Sequence, residues 1–533
     1  MLTHPVYAAL FDFRAPCPQT KIPIFQGTLR IKIVNIEQFP KAIRPYLIPE
    51  PKGEMVYRCL GCQQEMDASQ LHYTCPDCGS VFLLYNKNHA ELISLSGSHW
   101  RMLFDYRKML NHQALKGIFR YYEFIAPVIP LDDIIYLGEG DTPLVKSNNR
   151  LQEMIGIEFY FKNDGMNPSA SFKDRGMACA LSYINHLAKK NNNTKILSIC
   201  ASTGDTSASA ALYASYLGDF IKSAVILPQG KVTPQQLSQP LGSGAKVFEI
   251  PGVFDDCMKV VESLAEKYQV ALLNSKNSWR ILGQESFAFE ISQDFDYQIE
   301  DKAVIVPIGN AGNMTAIMNG FLKFFEAGII NSLPKIIGVQ SEHADPVYHY
   351  YKEKYPDKRK FVPVTVRPSV AQAAMIGNPV SMPRVIELVN KYNQKARKEK
   401  VFVVQVTEQE IMDCMIIANR NGNIICTQGG ESMAGLKKAV ELGHVKEDEV
   451  GILNSTAHII KFASFQEMYF NNSFGSDFEV HPREDLKNAP KLITPSKIKK
   501  YPEQGHPLED DEMKHFIKET AADIAKELKL DER

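Results

Sequence analysis

Several features are missing from this chain, and each absence narrows what it does. No apolar run approaches the roughly 20 residues that a helix needs to cross a bilayer. Charge of one sign is not in excess: 60 Lys and Arg stand against 61 Asp and Glu, a formal net charge of -1. A nucleic acid or an anionic membrane surface therefore has no global electrostatic claim on it. The first residues, "MLTHPVYAALFDF", carry no basic stretch ahead of a long apolar one, so no secretory signal is read there. There is no GxGxxG and no Walker pattern, so a nucleotide is not indicated. No internal repeat or long low-complexity segment stands out. A soluble, cytoplasmic protein without a membrane or nucleic-acid partner is expected.

What is present looks globular, with 44% hydrophobic and 23% charged residues. A length of 533 residues exceeds what one core usually covers. "GTLRIKIVNIEQF" (27–39) alternates as a strand does, and prolines at 40, 45, 49 and 51 mark a linker. From about residue 157 the texture changes. "KILSICAS" (195–202), "KSAVILP" (222–228), "AKVFEI" (245–250), "KAVIVPIG" (302–309), "KIIGVQ" (335–340), "VFVVQV" (401–406) and "EVGILNST" (449–456) are short apolar runs. Amphipathic stretches of helical length separate most of them, which implies βαβ units and parallel sheets covered by helices. In such sheets ligands sit at the carboxyl ends of strands. The polar tail ends in a stretch where Met513, Phe516, Ile517, Ala521 and Ile524 recur at helical spacing, a helix expected to pack or to make a dimer contact. The expected division is an N-terminal extension (1–56), a cysteine module (57–86), a connecting segment (87–136), a region of two α/β subdomains (137–470) and a C-terminal extension (471–533).

Ten cysteines are present, and four of them cluster. Cys59, Cys62, Cys75 and Cys78 form two C-x-x-C knuckles with tight-turn residues between them, the pattern of a closed four-thiolate zinc site. Such a site leaves no open coordination position for a substrate. The module is therefore structural or for docking, and is expected to lie away from the chemistry. The remaining cysteines are scattered through apolar segments, which suits a reducing compartment.

Three small-residue loops follow strands. Ser202, Thr203, Gly204, Asp205, Thr206 and Ser207 stand between a strand and a helix, where amides and hydroxyls hold a carboxylate or phosphate, or where Thr206 or Ser207 simply caps the helix. Gly309 and Gly312 in "PIGNAGNMTA" let a backbone approach a ligand. In "NPSASFKDRG" (167–176), Lys173 follows a run of small residues and a phenylalanine. Buried there, its amine loses charge readily and forms an imine. A phosphate cradle and an imine-forming lysine together suit pyridoxal phosphate.

The ordered motifs "GEGDTPL", "NPSASFKDRG", "ASTGDTSASAA", "ILGQESFAFEI" and "PIGNAGNMTAIMNGF" resemble those of the threonine synthases, fold-type II pyridoxal-phosphate enzymes, over about residues 137–465. The resemblance implies an α/β architecture of two parallel-sheet three-layer domains, with a zinc-ribbon-like module before them and a helical tail after. It implies a lyase acting in threonine biosynthesis, converting O-phosphohomoserine and water to threonine and phosphate, and a homodimer. Lys173 matches the lysine carrying the cofactor as an internal aldimine, with Phe172 beside it. Asp205 matches the residue next to the cofactor's 3'-oxygen, and Gly309, Asn310, Ala311, Gly312 and Asn313 the loop that binds its phosphate. Thr456 matches a hydroxyl facing the pyridine nitrogen. Ser202, Thr203 and Thr206 match the loop for the substrate carboxylate, and Asn274, Ser275 and Arg280 the segment gripping the substrate phosphate. Two stretches depart from the family pattern: "ICTQGGESMAGL" (425–436), on the substrate side of the site, and "SAS" (169–171), where "TGS" is common. A serine or threonine dehydratase, a cysteate synthase-like enzyme, or a silent zinc-ribbon interaction protein are the alternative readings.

Overall fold

The computed structural model describes residues 36–191, 196–201, 204–218, 221–229, 234–252, 254–268, 270–503 and 505–531. Met55–Cys59 (β1), Glu65–Asp67 (β2) and Phe82–Asn86 (β3) form an antiparallel sheet in the order β2-β1-β3. Leu144–Lys146 (β4) and Phe159–Asn163 (β5) then begin a second sheet. Ile196–Ala201 (β6), Ile221–Pro228 (β7), Lys246–Ile250 (β8) and Val270–Leu272 (β9) make a third, wholly parallel sheet in the order β8-β7-β6-β9. Lys302–Pro307 (β10), Lys335–Ser341 (β11), Val401–Val406 (β12) and Val450–Ser455 (β13) complete the second sheet. Its order is β12-β11-β10-β13-β5-β4, with β4 alone antiparallel.

The apolar runs become strands because both faces of each have something to bury against. Successive side chains of β10 point to opposite faces. Ala303 and Ile305 join one buried cluster with Phe161, Ile337 and Leu453; Val304 and Val306 join another with Ile336 and Ile452. Met433 and Leu436 of the Thr427–Glu441 helix cover the first face. Met314 and Ile317 of the Gly312–Glu326 helix, with Val385 and Leu388 of the Met382–Ala396 helix, cover the second. Coverage on both faces is what a parallel sheet requires. The four-stranded sheet is built likewise, with Ile199, Val270 and Leu272 packed on one side and Cys200, Ala271 and Leu273 on the other.

The strands expected from 195 onward form within a residue or two of their predicted limits. Pattern reading missed β4, β5 and β9. The run "FYFKN" of β5 carries a lysine in a buried sheet, and β9 is three residues long. The strand expected over 27–39 lies mostly outside the described residues, and its described end, Ile36–Gln38, is a 3-10 turn. The C-terminal helix forms as Asp510–Leu528, but none of its residues is buried. It is tied instead to the preceding segment by Lys497–Glu519 and Lys500–Glu512 ion pairs and a Tyr501–Phe516 ring contact. Among the described residues no helix is long and apolar enough to cross a membrane.

Candidate active site

Strands β10, β13 and β5 lie side by side and run the same way, so the segments leaving their carboxyl ends meet. Those segments are residues 308–313, 456–458 and 164–173. They are stitched together: the Phe172 amide donates to the Thr456 carbonyl (2.8 Å) and the His458 amide to that of Ala170 (3.1 Å). Neighbouring β6 and β9 of the other sheet deliver Asp205 and residues 273–280. The two sheets thus present the ends of their strands to one another across Lys173, whose charge is felt by Asp205, Cys200 and Arg280 from one sheet and Lys461 from the other.

The Asp-Arg-Gly behind the lysine is a scaffold. Lys173 opens the helix Lys173–Lys190. Asp174 accepts from the amide and hydroxyl of Ser169, both at 2.6 Å, and from the Ser209 hydroxyl, holding the "SAS" loop down. Ala170 adopts φ +65°, the left-handed conformation a glycine takes freely. Arg175 is buried and paired with Asp164 and Glu290, and it also reaches Thr142. The "GEGDTPL" and "ILGQESFAFEI" motifs thereby lock onto the lysine motif, and the Asn167 side chain adds a bond from the Gly140 amide (2.9 Å). Gly176 has a packing role. A Cβ there would lie 2.8 Å from the Arg280 carbonyl oxygen, and one on Gly283 would lie 2.2 Å from that of Arg175. The Lys173 helix and the Ser278–Gln284 helix therefore cross at a separation that side chains would prevent.

Burial pushes the Lys173 amine down to about 8, and the nearby Arg280 cation pushes the same way. Lys173 as a residue is half-buried, and its amine lies 4.2 Å from the centre of the Phe172 ring. Burial also lowers Arg280, to about 10, so it stays charged at neutral pH. Among the described residues its side chain makes one hydrogen bond, to the Leu273 carbonyl (2.9 Å), its Nε has no partner and no carboxylate pairs with it. Asn274 is buried beside it and Ser275 is half-buried.

Asp205 begins the helix Asp205–Leu217, whose N-cap is Gly204. Neither Thr206 nor Ser207 is the cap, and the Ser207 hydroxyl donates instead to the Gly204 carbonyl. Ser202 and Thr203 lie outside the described residues. The Asp205 carboxylate is paired with Lys461 at 2.9 Å, and Lys461 also donates to the Ser169 carbonyl. Lys461 was not singled out from sequence. It stands five residues past Thr456 in a 3-10 turn, and no local pattern links it to Asp205. In the 309–313 loop, a Cβ on Gly309 would meet the Ala374 backbone and one on Gly312 the Ile281 side chain. These two glycines admit neighbouring protein. The first amides of the Gly312 helix have no partner within it. Asn313 contacts Asn454, and Thr456 contacts Cys426, the residue before the divergent Thr427–Glu441 helix. Buried polar atoms without partners gather here: Ser171 Oγ, Asn454 Nδ2 and Ser455 Oγ, besides Arg280 Nε.

The four cysteines meet as their spacing predicts, with their sulfurs within 4.8 Å of one another. Cys59 and Cys78 are 3.4 Å apart and Cys62 and Cys75 3.6 Å. The module does not lie away from the site, however. The Phe82 carbonyl of β3 accepts from the Ser278 hydroxyl, and Trp279 donates to the Tyr57 hydroxyl (3.1 Å). Tyr57, Cys59 and Phe82 share one buried cluster with Trp279, so module and catalytic region have a common core.

Comparison with known proteins agrees with this arrangement. Residues 135–456 match the family described as pyridoxal-phosphate dependent enzyme. The threonine synthase of Methanocaldococcus jannaschii is 36% identical over 416 residues, covering 76% of this chain and 93% of the relative. That of Methanosarcina acetivorans is 34% identical over 408 residues, covering 76% and 91%. The crystal structure of threonine synthase from Escherichia coli shares the fold, with a TM-score of 0.57 at 18% identity over 78% of this chain and 90% of that one. The chain belongs to the fold-type II pyridoxal-phosphate-dependent enzymes, and among them to the threonine synthase family.

Proposed function

We propose that the chain converts O-phosphohomoserine and water to threonine and phosphate, with pyridoxal phosphate held on Lys173. One observation carries the substrate: Arg280 is a buried guanidinium with no carboxylate against it among the described residues, on a helix crossing that of Lys173. A buried charge left unpaired is costly. A dianionic phosphate on the substrate supplies the missing counter-charge, whereas serine or threonine does not.

The residues present fit the cofactor. The amides opening the Gly312 helix, with Gly309, Asn310, Ala311 and Asn313, would take its phosphate. Asp205 would face its 3'-oxygen, Thr456 its ring nitrogen, and Phe172 would border it. The orphaned Ser171, Asn454 and Ser455 atoms supply further polar contacts. When bound, the cofactor supplies a carbonyl that captures amines and a ring that takes up electrons released at carbon.

The chain's own residues do the rest. Lys173 Nζ, with its affinity for protons lowered to near neutrality, takes the α-proton and later returns one. Ser202, Thr203 and Thr206 hold the substrate carboxylate. Asn274, Ser275 and Arg280 stabilise the phosphate as the γ-carbon–oxygen bond breaks and its electron pair leaves on oxygen. The β-carbon gives up a proton, the γ-carbon takes one up in place of the departed phosphate, and the oxygen of water bonds to the β-carbon while its second proton goes to the released phosphate. The four cysteines we assign to a structural zinc ion: tetrahedral thiolates sit about 3.8 Å apart around zinc, close to the Cys59–Cys78 and Cys62–Cys75 separations of 3.4 and 3.6 Å.

An absorbance spectrum with and without O-phosphohomoserine, coupled to phosphate and threonine assays, tests this reading. A lysine-bound cofactor band that shifts on adding substrate, with one phosphate released per threonine formed, is expected. Ammonia from serine or threonine, with no phosphate from O-phosphohomoserine, would replace it by a dehydratase.

A further inference from the structure

A second buried arginine stands behind the first. Arg384 is 0% exposed, and among the described residues no carboxylate pairs with it. Its five N–H groups reach five acceptors: Nε donates to the Phe82 carbonyl (2.8 Å), one terminal nitrogen to the Ser275 carbonyl (2.9 Å) and the Ser381 hydroxyl (3.0 Å), and the other to the Lys276 carbonyl (3.0 Å) and the Ser278 hydroxyl (3.4 Å). The acceptors belong to three parts of the molecule. Phe82 lies on β3, directly across from Cys59 on β1. Ser275, Lys276 and Ser278 form the segment between Asn274 and Arg280. The amide of Ser381 donates to the carbonyl of Asn310 (3.2 Å), in the 309–313 loop.

Two further bonds repeat the connection from cysteine module to segment. The Ser278 hydroxyl donates to the same Phe82 carbonyl (2.9 Å), and Trp279, stacked on Tyr183, donates to Tyr57 of β1. Asn274, Ser275 and Arg280 are thus aimed by carbonyls and hydroxyls that converge on one guanidinium. That guanidinium is itself aimed by the strand paired with a metal-ligating cysteine.

We propose that Arg384 is a positioning residue, through which the four-cysteine module sets the 274–280 segment in the geometry that grips the substrate phosphate. The inference rests on the reading of that segment given above. It has a directional consequence. Lys173 is held by other bonds, chiefly those of Asp174, Arg175 and the 456–458 strip, and the 309–313 loop meets Arg384 only at one remove, through Ser381. Loss of Arg384 is therefore felt at the phosphate of the substrate before it is felt at the cofactor.

The test uses the holoenzyme and its Arg384→Gln variant. Cofactor absorbance, melting temperature, kcat and KM for O-phosphohomoserine are measured, together with the affinity of inorganic phosphate by calorimetry. The expected result is a rise of about tenfold or more in KM and a matching loss of phosphate affinity, equivalent to about 1.4 kcal/mol, with the cofactor band kept. Ser278→Ala, which removes two bonds of the same connection, and Tyr57→Phe, which removes one, should move KM in the same direction, by about threefold for Tyr57→Phe, the scale of a single hydrogen bond, and by more for Ser278→Ala. Those two variants decide the matter should Arg384→Gln fail to fold. Wild-type turnover with KM and phosphate affinity unchanged in the folded variants would overturn this inference alone. A wild-type protein that neither binds phosphate nor releases it from O-phosphohomoserine would overturn the functional reading, and the inference with it.

Discussion

A methyl group on Gly176 would sit 2.8 Å from the carbonyl oxygen of Arg280. The helix that begins with Lys173 and the helix that carries Arg280 are thus held at a separation set by hydrogen alone. This close backbone approach joins the helix of the Lys173 amine to that of Arg280, the cation proposed to hold the substrate phosphate. Gly176→Ala and Gly283→Ala should each force the helices apart. The expected loss of stability is about 1–3 kcal/mol, the usual cost of overpacking, and it should be larger for Gly283, where the Cβ would meet a carbonyl at 2.2 Å. Folded protein should show a raised KM for O-phosphohomoserine with a retained cofactor band. Calorimetric melting and steady-state kinetics check both, and an unchanged melting temperature in Gly283→Ala would contradict the packing argument.

The Lys173 amine can be followed directly. Only its neutral form attacks the cofactor carbonyl, and its proton leaves near pH 8 in the ligand-free chain. Recapture of pyridoxal phosphate by the apoenzyme should therefore speed up as pH rises from 6 to about 8 and level off beyond it. An unburied lysine would keep accelerating toward its usual value of about 10.4. Stopped-flow absorbance across that range distinguishes the two profiles.

The Asp205–Lys461 pair is nearly closed to water, with side chains 4% and 8% exposed. Removing one member leaves the other as an uncompensated buried charge, a loss of about 3–5 kcal/mol. Lys461→Met should destabilise the protein and shift the cofactor spectrum, because the carboxylate proposed to lie beside the 3'-oxygen loses its partner. The double variant Lys461→Met/Asp205→Asn should recover most of the stability. A double-mutant cycle on melting temperature measures the coupling, and simple additivity of the two substitutions would rule the pairing out.

These examples also mark how far the sequence could be read. The strands that deliver two of the three small-residue loops, β6 and β10, were visible as runs such as "KAVIVP", because a strand buried on both faces needs no partner to announce itself, whereas β5, which leads to the lysine loop, was not. Lys173 was visible because its motif is local. The Asp-Arg-Gly that follows it was legible only as a pattern. Its reasons, a loop held by Asp174, the pairing of Arg175 with Asp164 and Glu290 and a helix crossing at Gly176, lie at residues up to about a hundred positions away. Lys461 and Arg384 were invisible for the same cause. Each meets its partners through tertiary contact, and neither stands in a pattern that distinguishes it from a surface cation. The placing of the cysteine module was misjudged because a closed metal site shows what it binds and not what it leans on. Its β3 carbonyl supports the very segment from which it was expected to be remote.

Glu139, in "GEGDTPL", offers a last and separable test. It is fully buried, and Tyr213 (2.6 Å) and the Leu137 amide (3.0 Å) both donate to its Oε2, while Oε1 has no partner. Burial raises its carboxyl to about 8, so it is largely protonated at neutral pH. The folded state then holds a proton that the unfolded chain gives up near pH 4.5. Stability should fall as pH rises from about 4.5 to 8, and on linkage grounds the group accounts for a loss on the order of a few kcal/mol across that window. Glu139→Gln keeps the acceptor for Tyr213 and Leu137 and cannot ionise. The variant should match wild type near pH 5 and exceed it increasingly up to pH 8. Chemical denaturation of the two proteins at several pH values reads the difference. Parallel curves would mean that Glu139 is ionised in the fold and that its unpartnered oxygen is satisfied in some other way.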